Sequence, residues 1–227
     1  LIVDDETTLV DVIAAYLQRE GFQVFTAADG TQALAAARAH HPDVVVLDIV
    51  MPGIDGIEVC RQLRTFSDAY VIMLTARSDE IDTLVGLAAG ADDYMTKPFS
   101  PRVLVARIRT LLRRPRTATR MGADADEPTR RFGALTLEPT PREVRIDGQL
   151  VQLTRTEYDL LEALSERPRM AFSRAQLIAR VWGDGWVGDE HLVDVHLGHV
   201  RRKLGDDPVD PHYILTIRGV GYRMGPG

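Results

Sequence analysis

Five residues in the first half of the chain could do chemistry together. Asp4 and Asp5, Asp48, Thr75 and Lys97 follow closely on short apolar runs: Leu1-Ile2-Val3, Val44-Val45-Val46-Leu47, Tyr70 through Leu74, and Tyr94-Met95. Taken singly they are ordinary. An acidic pair before a helix serves as a cap, Asp48 as a turn former, Thr75 as a cap and Lys97 as a solvated charge. If the runs are parallel strands of an open sheet, however, their carboxyl ends border one crevice and the five side chains meet there. Three carboxylates in one crevice repel and would take up protons unless a cation joins them. A site of oxygen ligands without His or Cys fits a hard divalent ion such as Mg²⁺. The lysine and the hydroxyl would then supply a charge and a hydrogen bond to an anion of phosphoryl type. Lys97 stands out because the other basic residues, Lys203 apart, are arginines.

The elements that must position these residues are legible as patterns. The apolar runs, together with Phe22-Gln23-Val24-Phe25, alternate with segments near 7–20, 31–40, 56–65, 79–89 and 101–113. In those segments apolar residues return every three or four positions, as in Leu9, Ile13, Tyr16 and Leu17. Continuous apolar strands between such helices predict an α/β fold over residues 1–112: a doubly wound, five-stranded parallel sheet covered on both faces. From 113 to 131 the period stops. Arg113-Arg114-Pro115-Arg116 and the stretch from Gly122 to Pro128 predict a solvated linker. Residues 132–227 open with Leu135-Thr136-Leu137, Glu143 to Ile146, an Asp147-Gly148 turn and Leu150 to Leu153, a small antiparallel sheet. Helices near 155–166, 173–182 and 190–204 follow, then a hairpin of Tyr213 to Ile217 and Tyr222 to Met224. This is the layout of a winged helix-turn-helix α+β domain.

Composition sets the bounds. With 227 residues, 45% hydrophobic and 26% charged, the chain can bury a core, as one large domain or two of roughly 100 residues each. A single cysteine, Cys60, excludes a disulfide framework and any multi-cysteine zinc site. No apolar run approaches the roughly 20 residues of a membrane span and no signal-peptide pattern opens the chain, so a cytoplasmic protein is expected. The first residue is Leu1 rather than Met, so the start is expected to be missing or processed. The formal charge of −6 conceals an asymmetry. Residues 1–112 carry 9 basic and 16 acidic side chains, 113–131 carry 6 and 3, and 132–227 carry 12 and 14. An acidic first half and a near-neutral second half suit two domains with different partners.

A nucleic-acid reading of the second half must rest on local clusters. In the helix near 190–204, Val193, Leu197, Val200 and Leu204 form a stripe that must pack inward. The opposite face is expected to present His196, His199, Arg202 and Lys203, with Arg201 beside them, which suits the major groove. The plain alternative is a solvated amphipathic helix. A metal at His196 and His199 lacks a third ligand.

Val3-Asp4-Asp5-Glu6, the run from Leu47 to Gly53, Thr75-Ala76, and Gly90 to Tyr94 leading into Lys97-Pro98-Phe99 resemble the receiver domain of two-component response regulators, flavodoxin-like in fold, over all of residues 1–112. The resemblance implies Asp48 as phosphoacceptor, with Asp5 and the Val50 carbonyl as Mg²⁺ ligands and Asp4 acting through water. It implies that Thr75 and Lys97 contact the phosphoryl group, that Tyr94 swings inward when Thr75 moves, and that the Lys97–Pro98 bond is cis. A sensor histidine kinase would be the donor. The dehalogenase-type phosphatases also use a nucleophilic Asp, but they need a second Asp where this chain has Val50. A turnover enzyme is therefore not expected.

Leu153 to Leu161, Ser173 to Leu177, Val181-Trp182-Gly183, Val193 to His196, Arg201 to Leu204 and Arg218 to Tyr222 resemble the effector domain of the OmpR/PhoB family, over about 132–224. This implies that helix 190–204 enters the major groove of double-stranded promoter DNA and that Arg218 on the wing reaches the minor groove. It places Thr154, Arg155 and Thr156 against phosphates, and the 183–189 segment, with Trp186 exposed, against RNA polymerase. His191 and His199 stand where the family often has Arg, and Gly198 where it has a larger polar residue, so the bound sequence cannot be borrowed from a relative. The resemblance also implies a homodimer on phosphorylation. Val85 with Val103, and Ala88 with Arg109, occupy positions usually filled by charged pairs, leaving Asp93 with Arg107 as the inter-subunit salt bridge. A more apolar, less salt-dependent seam is expected. Two other classes stand beside this reading: a regulator that binds DNA constitutively, and a receiver whose output is RNA or a protein partner. Intact site residues disfavour the first, and the winged-helix motifs disfavour the second.

Overall fold

The computed structural model describes residues 1–75, 89–112, 127–186 and 188–227. The helix expected near 79–89, with Val85 and Ala88, and most of the expected linker lie outside the described residues. The chain divides into two compact units, Leu1–Leu112 and Arg113–Gly227.

The first unit is a five-stranded parallel sheet in the order β2-β1-β3-β4-β5. Its strands are β1 (Ile2–Val3), β2 (Thr26–Ala27), β3 (Val44–Asp48), β4 (Tyr70–Thr75) and β5 (Asp93–Thr96). Every residue of β3 and β4 is buried, as expected of central strands covered on both faces. α1 (Thr7–Arg19) packs beside α4 (Pro101–Leu112), and α2 (Gly30–His40) beside α3 (Gly56–Leu63). The Asp29 and Asp55 side chains cap α2 and α3, each accepting a backbone N–H at 2.8 Å.

The second strand departs from expectation. Phe22 to Phe25 was the apolar run, yet the strand forms at Thr26–Ala27. Phe25 stacks on His40 with ring centroids 3.8 Å apart, and only its carbonyl meets β1, accepting Ile2 N–H at 2.9 Å. Phe22, Val24 and Phe25 are only half-buried, and the run leads into the strand instead of forming it.

The second unit begins with a four-stranded antiparallel sheet, β6 (Arg130–Phe132), β7 (Leu135–Glu138), β8 (Glu143–Ile146) and β9 (Gln149–Leu150). Asp147 and Gly148, both at positive φ (48° and 80°), close the β8–β9 hairpin as the sequence required. β6 starts within the segment expected as linker. It is an edge strand whose register comes from β7, while the Arg130 guanidinium donates to Ser165 Oγ at 2.9 Å, so it needs no apolar period of its own. α5 (Arg155–Glu166), α6 (Arg174–Val181) and α7 (His191–Leu204) follow, then the hairpin of β10 (Ile214–Ile217) and β11 (Gly221–Met224). Thr154/Glu157 and Ser173/Gln176 form capping boxes that start α5 and α6. Val193, Leu197, Val200 and Leu204 are buried, and Trp182 and Phe172 fill the core beside them.

Candidate functional site

In the first unit, parallel pairing brings the carboxyl ends of β1, β3, β4 and β5 together, and the residues beyond those ends meet. Asp4 is held by its backbone N–H to Ala27 O (3.2 Å), while its Oδ1 accepts Glu6 N–H at 3.0 Å. Asp48 ends β3, where an added Cβ on Gly56 would overlap the Asp48 carbonyl, so only glycine allows α3 to start this close. Thr75 ends β4 and is 3% exposed. Lys97 follows β5, its backbone N–H on Thr75 O at 2.7 Å and the Lys97–Pro98 bond cis. From there its ammonium reaches Asp4 Oδ2 at 2.7 Å and Asp48 Oδ2 at 3.1 Å.

Asp4 and Asp48 are buried and Asp5 is exposed, and ligand oxygens of all three lie within 4.8 Å of one another. Burial, reinforced by the Asp4 charge, pushes the Asp48 carboxyl above its ordinary value, although Lys97 pulls it back. Burial likewise works against the Lys97 charge, but its bonds to Asp4 and Asp48 outweigh that and raise its pKa. One ammonium cannot neutralise three carboxylates. An all-oxygen donor set with surplus negative charge fits a hard divalent cation. Tyr94, three residues before Lys97, is half-buried at the same end of the sheet.

Asp93 and Arg107, expected to bridge two subunits, pair within one chain. Arg107 donates from one nitrogen to both Asp93 oxygens at 2.7 and 2.8 Å and to Tyr94 O at 2.9 Å, with Asp93 0% exposed. The buried carboxylate recruits the nearest guanidinium, one helix away. Arg109 pairs with Glu20, just past the end of α1. Val103 is 43% exposed.

In the second unit the expected basic face of α7 is rearranged. His196 and His199 are buried, at 1% and 7% exposure. His196 lies against the Trp182 ring, centroids 5.6 Å apart, and His199 Nδ1 is 3.8 Å from Glu157 Oε1. α5 and α6 together cover more of the helix than its apolar stripe, and these two imidazoles are on the covered part. Thr156 is 0% exposed because it faces the core from the first turn of α5. Trp186 is half-buried against Trp182 rather than exposed, with centroids 6.2 Å apart. Arg201 donates to Ile214 O and Thr216 Oγ1, both at 2.7 Å from one nitrogen, tying α7 to β10. Lys203 donates to Glu157 at 2.6 Å. His191, Arg202 and Arg218 remain exposed, and Thr154 and Arg155 are half-buried at the start of α5. The exposed edge of α7 is thus His191, Arg202 and Lys203, with the flanks of Asp194, Val195 and Gly198.

Three acids that sequence reasoning gave no role organise this unit. Glu157 accepts from Thr154 N–H and Lys203. Asp194 accepts from Arg174, Tyr222 and His191. Asp206 accepts the backbone N–H groups of His212, Tyr213 and Ile214 at 2.6 to 3.1 Å, which sets the turn into the final hairpin. Of these, only Glu157 carried a local signal, the Thr-x-x-Glu box.

Comparison with known proteins agrees with both halves. Residues 1–109 match the response regulator receiver domain, and residues 148–224 match the C-terminal domain of transcriptional regulatory proteins. The chain is 42% identical over 228 residues to the DNA-binding response regulator MtrA of Mycolicibacterium smegmatis, covering 100% of this chain and 96% of that protein. It is 44% identical over 231 residues to the transcriptional regulatory protein CseB of Streptomyces avermitilis, covering 99% and 96%. Among solved structures, the response regulator DrrB, an OmpR/PhoB homologue of Thermotoga maritima, is similar with a TM-score of 0.52 at 32% identity, over 99% of this chain and 97% of that one. No helix among the described residues is long and apolar enough to cross a membrane. With an acidic crevice at the carboxyl edge of a receiver sheet and a winged helix-turn-helix after it, the chain belongs to the OmpR/PhoB family of response regulators, DNA-binding proteins whose regulation of transcription depends on phosphorylation.

Proposed function

We propose that Asp48 accepts the phosphoryl group, from a sensor histidine kinase. The observation that carries this is the Asp48 carboxylate, 5% exposed, 3.1 Å from Lys97 and grouped with Asp4 and Asp5. A carboxylate oxygen attacks phosphorus in line, the bond to the donor's imidazole nitrogen breaks, and the nitrogen leaves with its electron pair. Asp4, Asp5, Asp48 and the Val50 carbonyl would hold Mg²⁺, which when bound offsets charge on the phosphoryl oxygens. Lys97 stands ready to exchange a carboxylate for a phosphoryl oxygen, and the Thr75 hydroxyl to donate to another. The protein is a stoichiometric acceptor, not a turnover enzyme, and acts in the cytoplasm.

Phosphate at Asp48 draws Thr75 inward, lets Tyr94 follow, and biases a homodimer formed through the surface that includes Val103 and, outside the described residues, Val85. Paired effector domains then bind repeated promoter sites. The exposed edge of α7, with His191 and Arg202, enters the major groove, Arg218 reaches the minor groove, and Thr154 and Arg155 meet phosphates. The 183–189 loop contacts RNA polymerase. The test is labelling by acetyl phosphate or a cognate kinase with Mg²⁺. Wild type is expected to label and Asp48→Asn not, because an amide is a poor nucleophile and a poor metal ligand. Robust labelling of Asp48→Asn overturns the assignment.

A further inference from the structure

Two elements besides its own, β11 and α6, converge on the Asp194 carboxylate in the first turn of α7, and His191 of the same helix meets it there. Its Oδ1 accepts from the Tyr222 hydroxyl of β11 at 2.7 Å and from Arg174 Nε at the start of α6 at 2.8 Å. Its Oδ2 lies 3.0 Å from His191 Nδ1, and His191 N–H donates to Asp189 in the preceding loop at 2.9 Å. Burial opposes the Asp194 charge, but the bonds from Tyr222, Arg174 and His191 prevail and hold its carboxyl below the ordinary value. An ionised carboxylate only accepts, so His191 Nδ1 carries a proton. That sets the tautomer and orients the ring, leaving Nε2 on the side away from Asp194 in a side chain that is 72% exposed.

The geometry points to His191 as a specificity-determining DNA contact whose hydrogen-bonding sense depends on its protonation. This rests on the reading of α7 as the groove helix. With Nδ1 engaged by Asp194, Nε2 offers a lone pair when the ring is neutral and an N–H when it is charged. The neutral ring accepts from the amino group of cytosine or adenine, and the charged ring donates to guanine N7 or O6. Asp194 and Asp189 favour the charged form, the hydrogen bond that His191 donates to Asp194 most of all. Burial and Arg174 oppose it, and the Tyr222 hydroxyl donates to Asp194 Oδ1. The net effect lifts the ring above the ordinary histidine value. His196 and His199 are covered, and His212 lies in the turn before the hairpin with Nδ1 on Asp210 O, so His191 is the histidine on the exposed edge of α7.

An acceptor on DNA favours the charged ring. The extra affinity is therefore fully present below the pKa of the free ring and lost as pH rises through the pKa of the bound ring. The test uses the full chain, a duplex it enriches from fragmented genomic DNA, and a random duplex of equal length. Between about pH 8 and about pH 6, affinity for the enriched duplex is expected to rise roughly three- to tenfold more in wild type than in His191→Gln. The random duplex should show a much smaller difference. The His191 ring, followed by nitrogen NMR, should titrate at higher pH in the enriched complex than in the free protein. Equal gains on both duplexes, or an unchanged pH response in His191→Gln, overturns the proposal. If Arg202→Ala and Arg218→Ala still weaken binding in that case, only the role of His191 falls. If neither does, the reading of α7 and the wing falls with it.

Discussion

Lys203 of α7 donates to Glu157 of α5 at 2.6 Å, and the Glu157 side chain is only 2% exposed. Thr154 N–H donates to the same oxygen at 2.7 Å. The lysine therefore secures the end of α7 to the start of α5, although the sequence suggested a phosphate contact. Lys203→Met is expected to lower effector-domain stability by about 2 kcal/mol, since it strands a buried carboxylate, and to leave the salt dependence of DNA binding unchanged. Arg202→Ala should do the opposite, reducing the salt slope by about one unit at unchanged stability. Denaturation curves and salt titrations of both variants check this. A reduced slope in Lys203→Met with unaltered stability would restore the phosphate role.

The acidic crevice should show its cation as stabilisation. At about 100 times its dissociation constant, Mg²⁺ is expected to stabilise the wild-type receiver by about 2.7 kcal/mol. Asp5 is exposed, so Asp5→Asn removes a ligand without disturbing the core, and its thermal midpoint should respond little to Mg²⁺. Equal shifts in the two proteins would remove Asp5 from the ligand set.

His199 makes effector stability sensitive to acid. Burial, with smaller contributions from Arg202 and Lys203, lowers its pKa to about 4 from an unfolded value near 6.5. The folded state binds fewer protons here. The stabilisation is thus present above about pH 6.5 and is lost as pH falls through that value toward about 4. His199→Asn should flatten this limb by about 2 kcal/mol, read from denaturation at a series of pH values. A variant that parallels wild type across the window contradicts it.

Arg107→Glu is expected to destabilise the unphosphorylated receiver by about 3 kcal/mol or more, because it sets a second carboxylate against buried Asp93. Val103 probes dimerisation apart from that loss of stability. Val103→Asp should leave the monomer stable and weaken the phosphorylated dimer, while added salt should disturb the wild-type dimer little. Sedimentation at low and high salt measures both. A dimer that dissociates steeply with salt, or one untouched by Val103→Asp, places the interface elsewhere.

The receiver crevice was legible because its information is local. Asp4, Asp5, Asp48, Thr75 and Lys97 each close an apolar run, and in a parallel sheet the ends of such runs lie along one edge whatever the details of packing. The Asp147-Gly148 turn and the apolar stripe of α7 were legible for the same reason, since each is set by residues a few positions apart. Strand β2 shows the limit: the run from Phe22 to Phe25 announced a strand but not which residues would pair, and Phe22, Val24 and Phe25 stay only half-buried.

The polar face of α7 was decided only by tertiary structure. Helical periodicity gives each side chain a direction but not the number of elements that press on the helix. α5 and α6 cover enough of α7 to enclose His196 and His199, so residues that counted as a basic face are core. Lys203 and Arg201 were also spoken for by acceptors far off in sequence, Glu157 and Ile214, which no local pattern names. Within the chain, buried Asp93 of β5 is likewise met by Arg107 of α4. The physical reason is the same in each case. A buried or half-buried charge must find a partner, and which partner lies within reach is a property of how the elements pack.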